Sequence, residues 1–360
     1  MATFGSTMPA AMARGDVVAG SLRPLQVWLF AVAALVFAMV VVGGATRLTG
    51  SGLSITEWQP IMGALPPLSD TAWQEAFQKY QAIPQYRLLN AGMSLAAFKS
   101  IFWWEWSHRL LGRVIGAAYA LPLLVFALKG RIRSVALGVK LGVLLVLGAL
   151  QGALGWYMVQ SGLSERTDVS QYRLAAHLLL ASALLGALMW TALNVGANHR
   201  QRIRLKTHAT GSVAVGAAIL ALVFAQIGAG ALVAGLKAGL AYNTWPLMDG
   251  HVVPSGLAIM EPLWRNVFEN AATVQFDHRL IAYGLAMLIV WHAVRVIHSA
   301  DDERMRGSAG VLLLAIACQI GLGIWTLLSH VPLDLALAHQ AMAMIVLLAA
   351  VWHLQTLTRG

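Results

Sequence analysis

The sequence contains very little cysteine and few charged residues. Cys318 is the only cysteine among 360 residues, so an intrachain disulfide and a cysteine-based metal cluster are both excluded. Only 11% of the residues are charged and 58% are hydrophobic, whereas roughly a quarter of the residues in soluble domains are charged. Most of the chain is therefore expected to be surrounded by lipid rather than water.

Apolar runs recur along the chain, each about 20 residues long, the length that a helix needs to cross a hydrocarbon core of about 30 Å. The pattern predicts an all-α integral membrane protein with eight transmembrane helices. The predicted spans are residues 25–46, 107–128, 135–159, 172–194, 209–234, 277–297, 307–328 and 334–356.

The basic residues indicate orientation. They concentrate in the loops after the second, fourth and sixth spans, at residues 129–133, 200–206 and 295–306. By the positive-inside rule, these loops and both termini are expected to be cytoplasmic. Residues 1–24, which lack a signal-peptide pattern, are then a cytoplasmic tail, and residues 197–208 are a cytoplasmic linker. The net charge of +10 therefore reflects topology, and no nucleic-acid partner is expected.

The chain contains an internal duplication. Three short sequence motifs of the first half recur in the same order in the second half. The matched words are Glu105–Leu110 with Gln275–Leu280, Gln151–Trp156 with Gln319–Ile324, and Ala176–Leu178 with Ala338–Gln340. The repeat predicts two pseudo-symmetric four-helix bundles, at residues 25–196 and 209–360, in the same orientation.

Four histidines occupy repeat-equivalent positions at the outer ends of the even-numbered spans: His108, His177, His278 and His339. Two facing helices that each supply one imidazole commonly hold heme in a helix bundle, so two pairs are predicted, one in each half. Five other histidines lie at cytoplasmic ends without repeat partners and are expected to be interfacial: His199, His208, His292, His298 and His353.

The halves differ beside the first histidine of each pair. Glu105 in the first half is replaced by Gln275 in the second. If the helix extends that far, Glu105 lies on the same face as His108, where a carboxylate can move a proton or stabilise positive charge. An ordinary charge at the lipid boundary is the alternative interpretation of Glu105.

Arginines lie on the outer side, where positive charge is usually sparse. Arg109 and Arg279 directly follow a candidate histidine, and Arg47 and Arg173 lie near the ends of their spans. Arginine binds carboxylates in a bidentate manner, so these side chains are candidates to hold heme propionates. Simple boundary charges are again the alternative.

The first long outer loop has an amphipathic segment, in which Trp73, Phe77 and Tyr80 recur at helical spacing among polar residues. A segment of this kind is expected to lie along the membrane surface, as a cap over the outer end of the bundle.

The combination of Gly43–Ser54, Glu57–Trp58 and Glu105–Arg109 resembles the heme A synthase family, and the resemblance extends over most of the chain. It implies a multi-pass protein of the cell inner membrane that oxidises a methyl group of heme O to a formyl group, giving heme A for terminal oxidases.

The resemblance also implies residue roles. His278 and His339 match the axial ligands of heme b, whereas His108 and His177 match the heme O site and Glu105 the catalytic glutamate. The implied partners are a heme O synthase (a farnesyltransferase), an electron donor and terminal oxidase assembly factors, and a homo-oligomer is compatible. Some members carry cysteine pairs in their outer loops, which this chain lacks.

Two other functions remain open at the level of the sequence. A di-heme b-type membrane cytochrome in quinol electron transfer needs only the histidine pairs, although it does not explain why one half alone carries the glutamate. A heme transporter or chaperone would also suit duplicated halves.

Overall fold

A computed structural model describes residues 10–132, 134–164, 166–195 and 210–359, and within these ranges the regular elements are helices. In chain order they are α1 (Ala10–Leu48), α2 (Asp70–Gln81), α3 (Pro84–Leu89), α4 (Leu95–Leu128), α5 (Val135–Gln160), α6 (Gln171–Val195), α7 (Thr210–Gly235), α8 (Asn266–Glu269), α9 (Ala271–Ser299), α10 (Glu303–Leu328) and α11 (Leu333–Leu357).

The predicted fold class is confirmed, because eight of these helices are long and apolar enough to cross a membrane: α1, α4 to α7, and α9 to α11. Two boundaries differ from the prediction. α1 begins at Ala10, within the segment predicted as a tail, although its apolar span begins at Leu22. α4 begins at Leu95 rather than at residue 107. The predicted linker, 197–208, lies outside the described residues.

The helix contacts are compatible with two four-helix halves. α1, α4, α5 and α6 contact one another in a ring, and α7, α9, α10 and α11 do the same. The two rings meet where α6 contacts α7 and α11, and where α1 contacts α11. One hydrophobic cluster includes fully buried side chains from both rings: Leu29, Leu185, Ile289 and Leu347. A shared core therefore joins the halves through hydrophobic burial and close packing.

The long α4 carries the outer segment. Ser94 caps its N-terminus by accepting a hydrogen bond from the backbone N–H of Ala97 at 3.2 Å. Its first turns bury Phe98 and Phe102 against the aromatic face of α2, formed by Trp73, Phe77 and Tyr80. α2 is thus the predicted amphipathic helix. Its packing on the first turns of α4 explains why α4 begins about three turns before the predicted start.

Candidate functional site

Each of the four candidate histidines packs against a glycine of a neighbouring helix. A Cβ built on the glycine would lie close to Cε1 of the imidazole: 2.7 Å for Gly43 and His108, 3.0 Å for Gly155 and His177, 3.1 Å for Gly230 and His278, and 2.8 Å for Gly323 and His339. Ordinary contact begins at 3.4 Å. A side chain at Gly43 or Gly323 would therefore displace the imidazole, and one at Gly155 or Gly230 would press closely against it.

The histidines fall into the two predicted pairs. His108 is close enough to His177 to interact with it electrostatically, and His278 stands in the same relation to His339. Each pair belongs to one ring of four helices, since His108 and His177 lie on α4 and α6 and the others on α9 and α11.

Three of the histidines also contact a glutamine. Nε2 of Gln151 is 3.0 Å from the carbonyl oxygen of His177, and Nε2 of Gln226 is 3.1 Å from that of His278. The same amide nitrogens approach the imidazoles, as Gln319 does at 3.4 Å from Nε2 of His339. The sequence analysis assigned these glutamines no role, although each lies four residues before the glycine that packs on its histidine, a spacing that is visible in the chain.

The donor set fits heme iron. Nδ1 of His108, His177 and His339 is buried without a hydrogen-bond partner among the described residues. An imidazole that binds iron through Nε2 carries its proton on Nδ1. Two imidazoles from different helices of one bundle, each beside a glycine, would suit a heme held by two histidines.

Glu105 lies in a dense hydrogen-bond network and is only 3% exposed. Its Oε2 accepts hydrogen bonds from Ser54 Oγ at 2.8 Å and from the backbone N–H of Ile55 at 2.7 Å. Its Oε1 accepts from Nη2 and Nε of Arg109, at 2.6 and 3.1 Å. Every neighbour is a donor, so the carboxylate anchors the loop after α1 to α4. Because α4 is continuous here, Glu105 and His108 share one rigid helix.

Arg109 binds the same loop. It donates to the carbonyl oxygens of Ile55 at 2.6 Å and of Glu57 at 2.8 Å. Arg279 occupies the equivalent position in the second half and donates to the carbonyl oxygen of Tyr242 at 3.3 Å. Nη1 of Arg279 is buried and unpartnered in the described structure. Arg279 thus retains a free donor, whereas both ends of Arg109 are engaged.

The second half has a smaller counterpart of this network that lacks the carboxylate. Nε2 of Gln275, the counterpart of Glu105, donates to the Tyr242 carbonyl oxygen at 3.0 Å. An amide therefore performs the anchoring role where no carboxylate is present. Loop attachment alone does not require the negative charge of Glu105.

Two further arginines lie at outer helix ends. Arg47 ends α1 and is partly buried, and its guanidinium makes no hydrogen bond within the described residues, while Asp168 is within electrostatic reach. Arg173 instead donates to the Tyr157 carbonyl oxygen at 2.6 Å and stacks on the ring of Tyr157 at 3.7 Å. Arg47 is thus the better placed of the two for an external anion.

Residues 26–351 match the model of a family described as "Cytochrome oxidase assembly protein" (COX15-CtaA). The chain belongs to this family. It is 54% identical to the heme A synthase of Azorhizobium caulinodans over 95% of this chain and 97% of the relative. It is also 54% identical to that of Parvibaculum lavamentivorans, over 92% and 94%. Identity to the heme A synthase of Nitrosospira multiformis is 52%, over 92% of both chains.

In this member of the family, two histidines expected to be interfacial are instead buried. His292 and His353 are 3% and 1% exposed, and their Nε2 atoms are 2.9 Å apart. Nδ1 of His353 is 2.8 Å from Oγ of Ser308, which lies on α10. The prediction was wrong for this pair because the two rings contact each other inside the protein, and His353 also contacts Ser308 there.

Of the remaining three, His298 is exposed, as expected, and His199 and His208 lie outside the described residues.

Proposed function

We propose that this chain is a heme A synthase, an oxidoreductase that converts a methyl group of heme O into a formyl group. The observation that carries the proposal is the difference between the two histidine sites. A buried carboxylate accompanies His108 on α4, whereas an amide accompanies His278 on α9. Three relatives that are more than half identical carry the name heme A synthase, which supports the same conclusion.

The residues are assigned as follows. His108 and His177 hold the substrate heme O, and His278 and His339 hold heme b. A bound heme b supplies electron transfer to the substrate site. Arg109 and Arg47 on the substrate side and Arg279 on the heme b side attract propionates, with the free Nη1 of Arg279 as the clearest donor.

Glu105 supplies the negative charge at the substrate site. The methyl carbon is oxidised first to the alcohol and then to a hydrated aldehyde, which loses water to give the formyl group. With dioxygen as the oxidant and two electrons arriving through heme b, each oxidation places one oxygen atom in a C–H bond and reduces the other to water, which consumes two protons. A carboxylate held within four hydrogen bonds is suited to pass such protons to the site. Ser54 and Arg109 fix its position before the reaction begins.

The chain is further proposed to span the cell inner membrane with both termini in the cytoplasm. A heme O synthase supplies the substrate from within the same bilayer, an electron donor reduces heme b, and terminal oxidase assembly factors receive the product.

The test is production of heme A in membranes that also contain a heme O synthase. Glu105→Gln is expected to retain bound heme and to lose heme A production. Ser54→Ala is the matched control, because it removes one hydrogen bond from the same carboxylate but leaves the charge; it should still make heme A. Normal heme A output from Glu105→Gln would contradict the catalytic assignment.

The same pigment extraction separates the alternatives. New heme A in the wild type supports the synthase. Unchanged heme O with reversible redox activity would instead indicate a di-heme cytochrome, and unmodified heme without redox turnover would indicate a carrier.

A further inference from the structure

An uncharged stretch interrupts the loop between α1 and α2. Residues 58–69 contain no charged side chain. Within this stretch Ile61 and Met62, here called the tip, are 81% and 73% exposed, and Leu65 is 67% exposed. Large apolar side chains that are exposed side by side commonly mark contact with a membrane or with another protein.

Arginines on successive turns of α4 hold this loop against the helix. Arg113 donates hydrogen bonds to the carbonyl oxygens of Gln59 and Pro60, both at 2.8 Å. On the other side of the tip, a Cβ built on Gly63 would lie 2.9 Å from Nη2 of Arg113. Arg109, one turn earlier, holds the start of the loop in the same way. The tip is therefore fixed at the level of the Arg113 side chain.

Arg113 belongs to the part of α4 that crosses the membrane. α4 ends at Leu128, and the charged Lys129 follows. A hydrocarbon core of about 30 Å takes about 20 residues of helix, so the crossing part, counted back from Leu128, begins near residue 109. The Cα of Arg113 is then about 6 Å inside the core. Because an arginine side chain extends from such a position toward the interface, the tip lies at the edge of the hydrocarbon core.

The opposite side of the loop is polar. A cavity of about 240 Å³ lies between the loop, α2 and α4, and Glu57, Lys79, Arg109 and Arg113 contribute to its lining, whereas the tip does not. Glu57 and Lys79 form an ion pair there at 2.9 Å. Irregular backbone at membrane depth is tolerated where its polar groups face protein or a water-filled cavity. This loop meets that condition, with its polar groups inward and its apolar side chains outward.

We propose that the tip inserts into the bilayer, where Ile61 and Met62 contact the lipid acyl chains. The partner is lipid rather than a second protein, because the tip is continuous with the side of α4 on which Val114 is also exposed, and because the stretch carries no charge that would oppose insertion. Insertion anchors to the bilayer the same loop whose Ser54 holds Glu105. The inference concerns the surface of the protein and requires no bound heme.

Nitroxide labels measure the surroundings of the tip. Cys318 is the only cysteine, so Cys318→Ser gives a parent chain to which one cysteine is returned at a time, as Ile61→Cys or Met62→Cys. The labelled protein is reconstituted in phosphatidylcholine bilayers. Each label then meets oxygen, which concentrates in hydrocarbon, and a nickel chelate, which stays in water.

Two exposed positions calibrate the measurement. Leu121→Cys lies further along α4 and reports lipid. Glu75→Cys lies on α2, where the native side chain is charged and 65% exposed, and reports water. The ratio of oxygen collisions to nickel collisions at Ile61 and Met62 should approach the ratio at Leu121 and exceed the ratio at Glu75 several-fold.

Two results would overturn the proposal. Ratios at both tip positions equal to that at Glu75 would place the tip in water. Weak collisions with both reagents would show that protein covers the tip instead of lipid. Circular dichroism compares the helix content of each variant with that of the parent, and the two tip positions give separate readings if one variant does not fold.

Discussion

Replacing Gly323 by alanine should displace heme b while leaving the substrate site intact. The new Cβ would lie 2.8 Å from Cε1 of His339, about 0.6 Å closer than the 3.4 Å at which ordinary contact begins. The imidazole cannot keep its position, and forced repacking of this kind costs about 1–3 kcal/mol. If that strain is relieved when the ligand leaves, heme b affinity falls roughly fivefold to 150-fold.

Gly321→Ala provides the control on the same helix. No atom lies within 4 Å of a Cβ at this position, and replacing glycine by alanine inside a helix favours the helix by about 1 kcal/mol. This variant should bind heme normally and unfold no earlier than the wild type.

The assay is the ratio of heme to purified protein, together with the visible spectrum. Gly323→Ala should lose up to half of the bound heme, because the glycines beside His108 and His177 are untouched. Equal heme content and equal spectra for the two alanine variants would refute the close-packing argument for His339.

Three more changes test the packing around the sites. Ser308→Ala leaves Nδ1 of His353 buried without its hydrogen-bond partner and should destabilise the protein by about 1–3 kcal/mol. The measurement is the thermal transition, which should come earlier than in the control Ser182→Ala, because the Ser182 hydroxyl bonds mainly within its own helix. Hydrogen bonds from Arg265, and to a smaller extent from Tyr172, lower the pKa of Glu269 from 4.5. Glu269→Gln should therefore lower the melting temperature at neutral pH. The difference should vanish in acid, because a carboxyl with a lowered pKa stabilises the fold only at pH values where it is ionised. Gln340→Leu removes a 2.6 Å bond to the carbonyl oxygen of Val40 and should reduce stability by about 1 kcal/mol; a transition unchanged from wild type would show that the bond contributes nothing.

The spans and the repeated histidines were predictable because both leave a local record in the chain. A run of about 20 apolar residues reports a membrane crossing without knowledge of its neighbours. The match between the motif that contains His108 and the motif that contains His278 is equally visible. Their pairing followed from the repeat, although the roles of the two pairs remain predictions.

The start of α4 and the burial of His292 and His353 were not predictable because both depend on distant contacts. The turns that carry Phe98 and Phe102 resemble a surface segment until α2 covers them. His292 and His353 are separated by 61 residues in sequence, and nothing near either one indicates the other. A polar residue near a span end reads as interfacial until its partner is known.

The hydrogen bond between Gln340 and Val40 joins residues 300 positions apart, on the last and first described helices. During synthesis, α1 enters the membrane long before α11 is made, so the contact forms only after the other spans have been inserted. Val40 lies three residues before Gly43, which packs on His108, and Gln340 directly follows His339. Because His339 itself lies on α11, the second histidine site forms only after α11 has been inserted. The bond from Gln340 to Val40 then adds packing beside Gly43 in the first half.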